Sequence, residues 1–232
     1  MRLLEWTELP HHMQCEEVKS YYEVLKKKKG ALVIKRLFDI VVSSVMLVLV
    51  SPILVGIALC IKLDSEGPVF YRQERITTYG KTFRIFKFRT MVVNADRIGA
   101  LVTTGNDSRI TNIGRKIRKC RLDELPQLIN ILLGDMTFVG TRPEVKKYVD
   151  AYTNEMLATL LLPAGVTSLA SIKYKDEDEI ISKYTSQGLS VDEVYIEKVL
   201  SDKMVYNLEY VKEFSFFKDI KLMFDTVLAV LK

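Results

Sequence analysis

Apolar positions are spread unevenly along this 232-residue chain. Residues 40–61, IVVSSVMLVLVSPILVGIALCI, pass without a single charge. As a helix rising about 1.5 Å per residue, the run matches the roughly 30 Å hydrocarbon core of a bilayer. It lacks the polar stripe that a core helix of a soluble protein turns to water. Ser51-Pro52 sits at its centre. Proline has no N–H and clashes with the preceding turn, so the helix is expected to kink or break there. The Ser51 hydroxyl can satisfy a carbonyl that such a break releases. Basic residues flank both ends: the lysines at 26–29, Lys35 and Arg36 before, Lys62, Arg72 and Arg75 after. A single crossing would place them on one side only. The pattern predicts a segment that dips in, turns at Ser-Pro and returns to the same face; a kinked single crossing is the competing reading.

Downstream, residues 67–91 read as a β-hairpin turning at Thr78–Gly80. Phe83, Ile85 and Lys87 fall on one face of its second arm, and Arg84, Phe86 and Phe88 on the other. A loop, TTGNDSRITN, follows. Then come a helix of seven or eight residues from Ile113 and a second from near Asp123 to Leu133. Pro126 marks the start of the second, with Leu125, Leu128, Ile129 and Leu132 as its buried face. GDMTFVGTRPE is loop and short strand, and a helix is expected over 144–161. ASIKYKDEDEI opens as a strand and turns into a charged helix; helices through 190–213 complete the domain. In the tail, 214–232, apolar residues recur at helical spacing around Lys218, Asp219, Lys221 and Asp225. That suits a helix lying flat at a membrane interface or a core helix equally. The fold class is therefore α/β, mostly helical with a small hairpin or sheet, and too poor in strands for a doubly wound sheet. The divisions are a polar N-terminal extension (1–30), the membrane segment (31–64), a main domain (65–213) and an amphipathic C-terminal helix (214–232).

Composition narrows the chemistry. A net charge of +5 suits anionic lipid or phosphates and is too small to indicate nucleic acid. Cys15, Cys60 and Cys120 form no CxxC pair and read as reduced thiols facing the cytoplasm, not as a disulfide frame or zinc site. The apolar run begins too late, and lacks the cleavage site, for a cleavable signal peptide. The absence of GxxxxGK[ST] excludes a P-loop ATPase. The only histidines, His11 and His12, lie near the start. Chemistry in the main domain then falls to carboxylates, lysines, tyrosines or a bound metal.

The richest stretch is NIGRKIRKCRLDELPQLINILLGDMTFVGTRPE. Helical spacing puts Arg115, Arg118 and Lys119 on one face. Asp123 and Glu124 follow at once, and Arg142 comes later in TRP. Two acids at a helix start can simply cap it. Cations delivered to the same point, with exposed N–H groups, also suit a phosphate ester held with a divalent metal. An aspartate can attack phosphorus while its neighbour, about 100° round the helix, faces the metal.

KRLFDIVVSSVMLVLVSPILVGIALCIKLDSEGPVFYRQER, FRIFKFRTM, RKIRKCRLDELPQLINILLGDMTFVGTRPE and PAGVTSLASI, in that order across residues 34–175, resemble the bacterial sugar transferases. These are the small monotopic polyprenyl-phosphate phosphoglycosyl transferases. The resemblance implies transfer of a sugar 1-phosphate from a UDP-sugar to undecaprenyl phosphate with release of UMP, which starts glycan assembly on a lipid carrier. It implies Mg²⁺ and a two-step path in which Asp123 carries the phosphosugar and Glu124 holds the metal. Arg118 is implied as the arginine approaching the dyad, and Ser51-Pro52 as the break of a re-entrant membrane helix. That helix would hold the catalytic domain on the cytoplasmic face of the bacterial inner membrane. Lys87, Arg89 and Arg142 are implied as substrate-binding residues, with a solvated strand edge or lipid-headgroup contact as the other reading of the first two.

Two departures stand out from the family pattern. Thr141 replaces a proline before Arg142, which bears on the rigidity of that loop. The 162–168 loop, LPAGVTS, lacks the usual preceding base and second glycine, with Ser168 in place of the latter; Lys173 and Lys175 are candidates for the missing charge. The acids at 176–179 read as a solvated face and not as a second metal site. Two rival functions remain open, a non-catalytic membrane scaffold and a UDP-releasing glycosyl transferase.

Overall fold

The computed structural model describes residues 1–95, 107–174 and 177–231. Lys175, Asp176 and the first part of the TTGNDSRITN loop lie outside the described residues. The first 28 residues fold onto the main body through two 3-10 turns and helix α1 (Glu16–Lys26). Leu3, Leu9, Met13, Val18, Tyr22 and Leu25 are buried in one core cluster with Val139, Leu161, Tyr210 and Phe214.

Helix α2 (Lys29–Asp64) follows. At about 1.5 Å per residue it is about 54 Å long. Its polar side is turned inward, the reverse of a water-soluble helix. Lys35, Asp39 and Ser43 are buried, with Leu32 near one end and Ile61 near the other. Between them Met46, Leu47 and Val50, then Leu54, Ile57 and Ala58, pack on the domain. Val33, Leu37, Val41, Val48, Leu59 and Leu63 face outward and are exposed, a surface suited to lipid. The helix is not broken at Ser51-Pro52 but runs through it. Pro52 deprives the Val48 carbonyl of its usual donor, and the Ser51 hydroxyl replaces it at 2.8 Å.

The hairpin forms as the alternation predicts. Strands β1 (Phe70–Ile76) and β2 (Thr82–Phe88) pair antiparallel, Tyr71 opposite Lys87. At the turn Tyr79 adopts a left-handed conformation (φ 58°), and its hydroxyl accepts a hydrogen bond from the Leu4 amide at 3.0 Å. Helix α3 (Asn112–Lys119) is capped by Thr111, whose side chain accepts from Gly114 N. Helix α4 (Gln127–Leu133) closes at Gly134 in a left-handed turn (φ 95°). Its buried residues are Gln127, Leu128, Asn130 and Ile131. The apolar face expected at Leu125, Leu128, Ile129 and Leu132 is therefore corrected: Leu132 and Leu133 are exposed, beside the outward face of α2, because Asn130 is drawn in to bind strand β2.

Strand β3 (Met136–Val139) then pairs, in parallel, with β4 (Ala164–Thr167). The long helix expected over 144–161 is only a turn, α5 (Lys146–Val149), and a 3-10 stretch, Met156–Leu161. The Thr153 hydroxyl accepts from the Met156 amide and starts the second piece afresh. The strand expected at ASIK is a helix, α6 (Leu169–Lys173), because Ser168 caps it through the Ser171 amide at 2.9 Å; the strand lies one step earlier. The charged helix α7 (Glu177–Thr185) forms as expected, followed by α8 (Val191–Val194), a π-turn (Tyr195–Leu200) and α9 (Ser201–Lys212).

The tail is helix α10 (Phe216–Leu231). Its Asp219 meets Lys35 of α2 at 2.5 Å, both side chains 3% exposed, while Phe217, Phe224 and Leu228 stay exposed. The tail is thus part of the packed body on one face and apolar on the other. Lys35 also donates to the Val139 carbonyl at 2.8 Å, and Asp39 accepts from Thr137 at 2.8 Å. Polar residues of α2 therefore grip strand β3 directly.

Candidate active site

Arg121, left-handed at φ 55° and ψ 19°, turns the chain sharply between α3 and a 3-10 turn, Leu122–Glu124. Strained residues of this kind are costly and gather at functional sites. The turn presents both acids of the dyad. Glu124 is the more enclosed, its side chain 13% exposed. Oε1 accepts from Lys87 Nζ at 3.0 Å and from Arg142 Nη2 at 2.8 Å. Burial by itself would raise its pKa, but Arg142 and Lys87 outweigh that and hold Glu124 well below the usual carboxylate range.

Asp123, one residue earlier, is pushed the other way. Burial first, and then the charge of Glu124, raise its pKa against the opposing pull of Lys87 and Arg118. Among the described residues no side chain is hydrogen-bonded to its carboxylate. Two neighbouring acids thus have separate characters, one an anion fixed between two cations and the other a more basic carboxylate met only by its own backbone amide. Such a split is the mark of divided chemical roles.

The surrounding elements explain the placement. Lys87 leaves β2 on the face of Phe83 and Ile85, as the alternation predicts, and so points at Glu124. Asn130 of α4 fixes that strand: its Oδ1 accepts from Phe86 N at 2.8 Å and its Nδ2 donates to Arg84 O at 3.1 Å. Arg142 is set by the parallel pair. A Cβ on Gly165 would lie 2.2 Å from the Gly140 nitrogen, so only glycine lets the two chains come this close. Gly165 N then donates to Thr141 O at 2.8 Å, and Arg142 Nη1 donates to Val166 O at 2.8 Å. The loop is held by backbone pairing even though Thr141 stands before the arginine. The altered 162–168 stretch is largely strand β4 itself.

Of the residues singled out in the sequence, the structure brings Lys87, Asp123, Glu124 and Arg142 together. Arg118 reaches Asp123 through its charge alone. Arg89 is placed elsewhere. It lies one residue beyond β2, where the alternation no longer governs it, and is 5% exposed. Its guanidinium donates to the carbonyls of Ser65, at 2.9 Å, and Glu66, clasping the C-terminal end of α2 where a cation is favoured. Asp64 Oδ2 accepts from Ile113 N at 3.0 Å, so the same end of α2 is also tied to the cation-bearing helix α3.

The profile of the bacterial sugar transferases matches residues 30–232. The chain belongs to that family. It is 36% identical over 200 residues to the UDP-glucose:undecaprenyl-phosphate glucose-1-phosphate transferase of Klebsiella pneumoniae, covering 84% of this chain and 40% of that protein. With the UDP-N-acetylgalactosamine-undecaprenyl-phosphate N-acetylgalactosaminephosphotransferase of Aeromonas hydrophila it shares 33% over 201 residues, 85% of this chain and 44% of the other. An uncharacterized sugar transferase of Bacillus subtilis matches at 34% over 200 residues, 86% of this chain and 88% of that one. This chain thus spans about two fifths of the length of the first two relatives.

In this bacterial sugar transferase the donor set suits a divalent metal. Hard cations take oxygen ligands, typically one or two carboxylates completed by substrate phosphates. Glu124 uses only Oε1 for its two cations, which leaves Oε2, and Asp123 lies beside it. No group of three or more His, Cys, Asp or Glu that could hold a metal occurs among the described residues. Asn130, Gly140 and Gly165 escaped the sequence reading. Asn130 left one signal, a polar residue in an apolar helical stretch; the glycines left none beyond their identity, because their partner is 25 residues away in sequence.

Proposed function

We propose that this sugar transferase moves a sugar 1-phosphate from a UDP-sugar to undecaprenyl phosphate and releases UMP. The observation that carries the reading is the split dyad, Asp123 raised and without a side-chain hydrogen bond beside Glu124 fixed between two cations. The names of the relatives supply the substrate classes. Asp123 attacks the phosphorus that bears the sugar. The bridging P–O bond breaks and UMP leaves, with the phosphosugar held on the Asp123 carboxylate. An oxygen of the lipid phosphate then attacks the same phosphorus, the Asp123–phosphorus bond breaks, and the lipid diphosphate sugar departs with Asp123 restored. The basicity of Asp123, raised by burial and by the Glu124 charge, favours the first step. Arg142, Lys87 and Arg118 offset the negative charge gathered on the two phosphates. Glu124 through Oε2, with substrate oxygens, would hold Mg²⁺, which would offset the charge that builds on the departing UMP.

The same reading makes α2 a re-entrant element, with the catalytic domain on the cytoplasmic face. Its support is that both ends of α2, at Leu32 and Ile61, pack on the one domain while the outward face is apolar. Single cysteines at Lys27 and Ser65, in a cysteine-free background, should both react with an impermeant maleimide from the cytoplasmic side. Reaction of one from the opposite side would mean a crossing.

The reaction class is tested by incubating the purified protein with Mg²⁺, undecaprenyl phosphate and a panel of UDP-sugars. UMP formed in step with lipid product supports the assignment. UDP as the product would move the protein to ordinary glycosyl transfer.

A further inference from the structure

A second group of buried charges is tied to the chain that carries Arg142. Glu144, two residues on, is 8% exposed. Its Oε1 accepts from the Tyr195 hydroxyl at 2.6 Å. Lys203 Nζ lies 3.0 Å from that hydroxyl, 3.1 Å from Glu177 Oε2 and 3.9 Å from Glu144 Oε1. Lys203 is thus set between two carboxylates, its side chain 13% exposed. Tyr195 opens the π-turn Tyr195–Leu200, a local widening that recurs at functional positions in helices.

The backbone around Arg142 is already fixed. Gly165 N holds the Thr141 carbonyl at 2.8 Å and Ile76 N the Glu144 carbonyl at 2.9 Å. Arg75 Nη1 donates to the Pro143 carbonyl at 3.1 Å. The Arg142 side chain, bonded to Val166 O and Glu124, stands in the field of three carboxylates. Glu124 is bonded to it, while Glu144 and Glu177 also act on it through their charge. Arg142 and Glu144 line one small cavity of about 10 Å³.

We propose that Lys203 is a positioning residue for Arg142: by pairing with Glu144 and Glu177 it keeps those carboxylates from drawing the guanidinium away from Glu124 and the phosphate site. The proposal rests on the reading of Arg142 as a donor-phosphate contact. Lys203 itself touches no reacting atom. Glu177 becomes the source of a pull that only the lysine cancels, so deleting the Glu177 charge should substitute for the lysine.

The test compares Lys203→Met, Lys203→Met/Glu177→Gln, Lys203→Arg and wild type for UMP release. Lys203→Met is expected to raise the donor KM by about tenfold, with a smaller change in kcat. Lys203→Arg, and the double variant, should return it to within about threefold of wild type. An unchanged KM in Lys203→Met, or a rise that the Glu177 change leaves in place, overturns the proposal, since a merely structural lysine would not be rescued by losing its partner. If Lys203→Met fails to fold, Lys203→Gln keeps a hydrogen bond to Tyr195 without the charge, and the same KM rise is expected. Absence of UMP release by wild type counts against the reaction and not against Lys203. In that case a crystal structure of the folded variant decides: Arg142 still bonded to Glu124 overturns the proposal, and Arg142 turned to Glu144 or Glu177 upholds it.

Discussion

Lys87 and Arg142 donate to the same oxygen, Oε1 of Glu124, at 3.0 and 2.8 Å. One comes from an antiparallel hairpin and the other from the end of a parallel strand, so two separate pieces of sheet converge on one carboxylate. The geometry pins Glu124 by one oxygen, leaves the other open, and keeps two positive charges beside Asp123.

Asp123→Asn tests the nucleophile. The amide keeps the size and the capping ability of the acid but cannot form the phosphosugar bond. Lipid-dependent UMP release should fall by about a thousandfold or more, with the thermal midpoint near that of wild type. Substantial residual activity would move the nucleophile elsewhere.

Activity should carry an acid limb set by Asp123. The group must be ionised to attack, so kcat/KM falls as pH drops through its pKa, which burial and the Glu124 charge raise above 3.8. Glu124, held far lower, stays charged throughout this window. Glu124→Gln removes one of the charges that raise Asp123 and releases Lys87 and Arg142. The limb of whatever activity remains should therefore move to lower pH; a move upward would contradict the coupling.

Arg142→Lys should cost more than a charge-conserving change suggests. Arg142 spans from Glu124 to Val166 O with two separate nitrogens, a reach that the lysine point charge does not reproduce. A drop in kcat/KM of about tenfold to a hundredfold is expected, read from initial rates of UMP release.

Asn130→Leu should act on stability as well as rate. It strips the part-buried Phe86 N–H of its partner and leaves the Arg84 carbonyl only the Arg72 guanidinium at 3.3 Å, a loss of about 2 kcal/mol, and lets β2 shift under Lys87. Denaturant unfolding gives the first effect and donor KM the second. Wild-type values in both would remove Asn130 from the support of the site.

Much of this was written in short-range pattern. The alternation through Phe83, Ile85 and Lys87 gave the direction of the lysine, and the charge-free run around Ser51-Pro52 gave the long apolar helix α2. Relationships across long sequence distance were not legible. Arg89 continues the alternation on paper but lies past the end of the strand, where the carbonyls of Ser65 and Glu66 claim it. The 162–168 stretch resembled a loop because its partner strand, Met136–Val139, is nowhere near it in sequence. Ser51 shows the opposite case: its hydroxyl donates to the Val48 carbonyl that Pro52 leaves free, as the local sequence predicts, and the helix continues through the pair.

The most direct measurement is the intact mass of the protein after incubation with Mg²⁺ and a UDP-sugar that it uses, without lipid acceptor. The account predicts a mass increase of one sugar phosphate, mapped to Asp123, released on adding undecaprenyl phosphate and absent in Asp123→Asn. UMP release that always requires both substrates, with no adduct trapped under rapid quench, or an adduct on another residue, would contradict it.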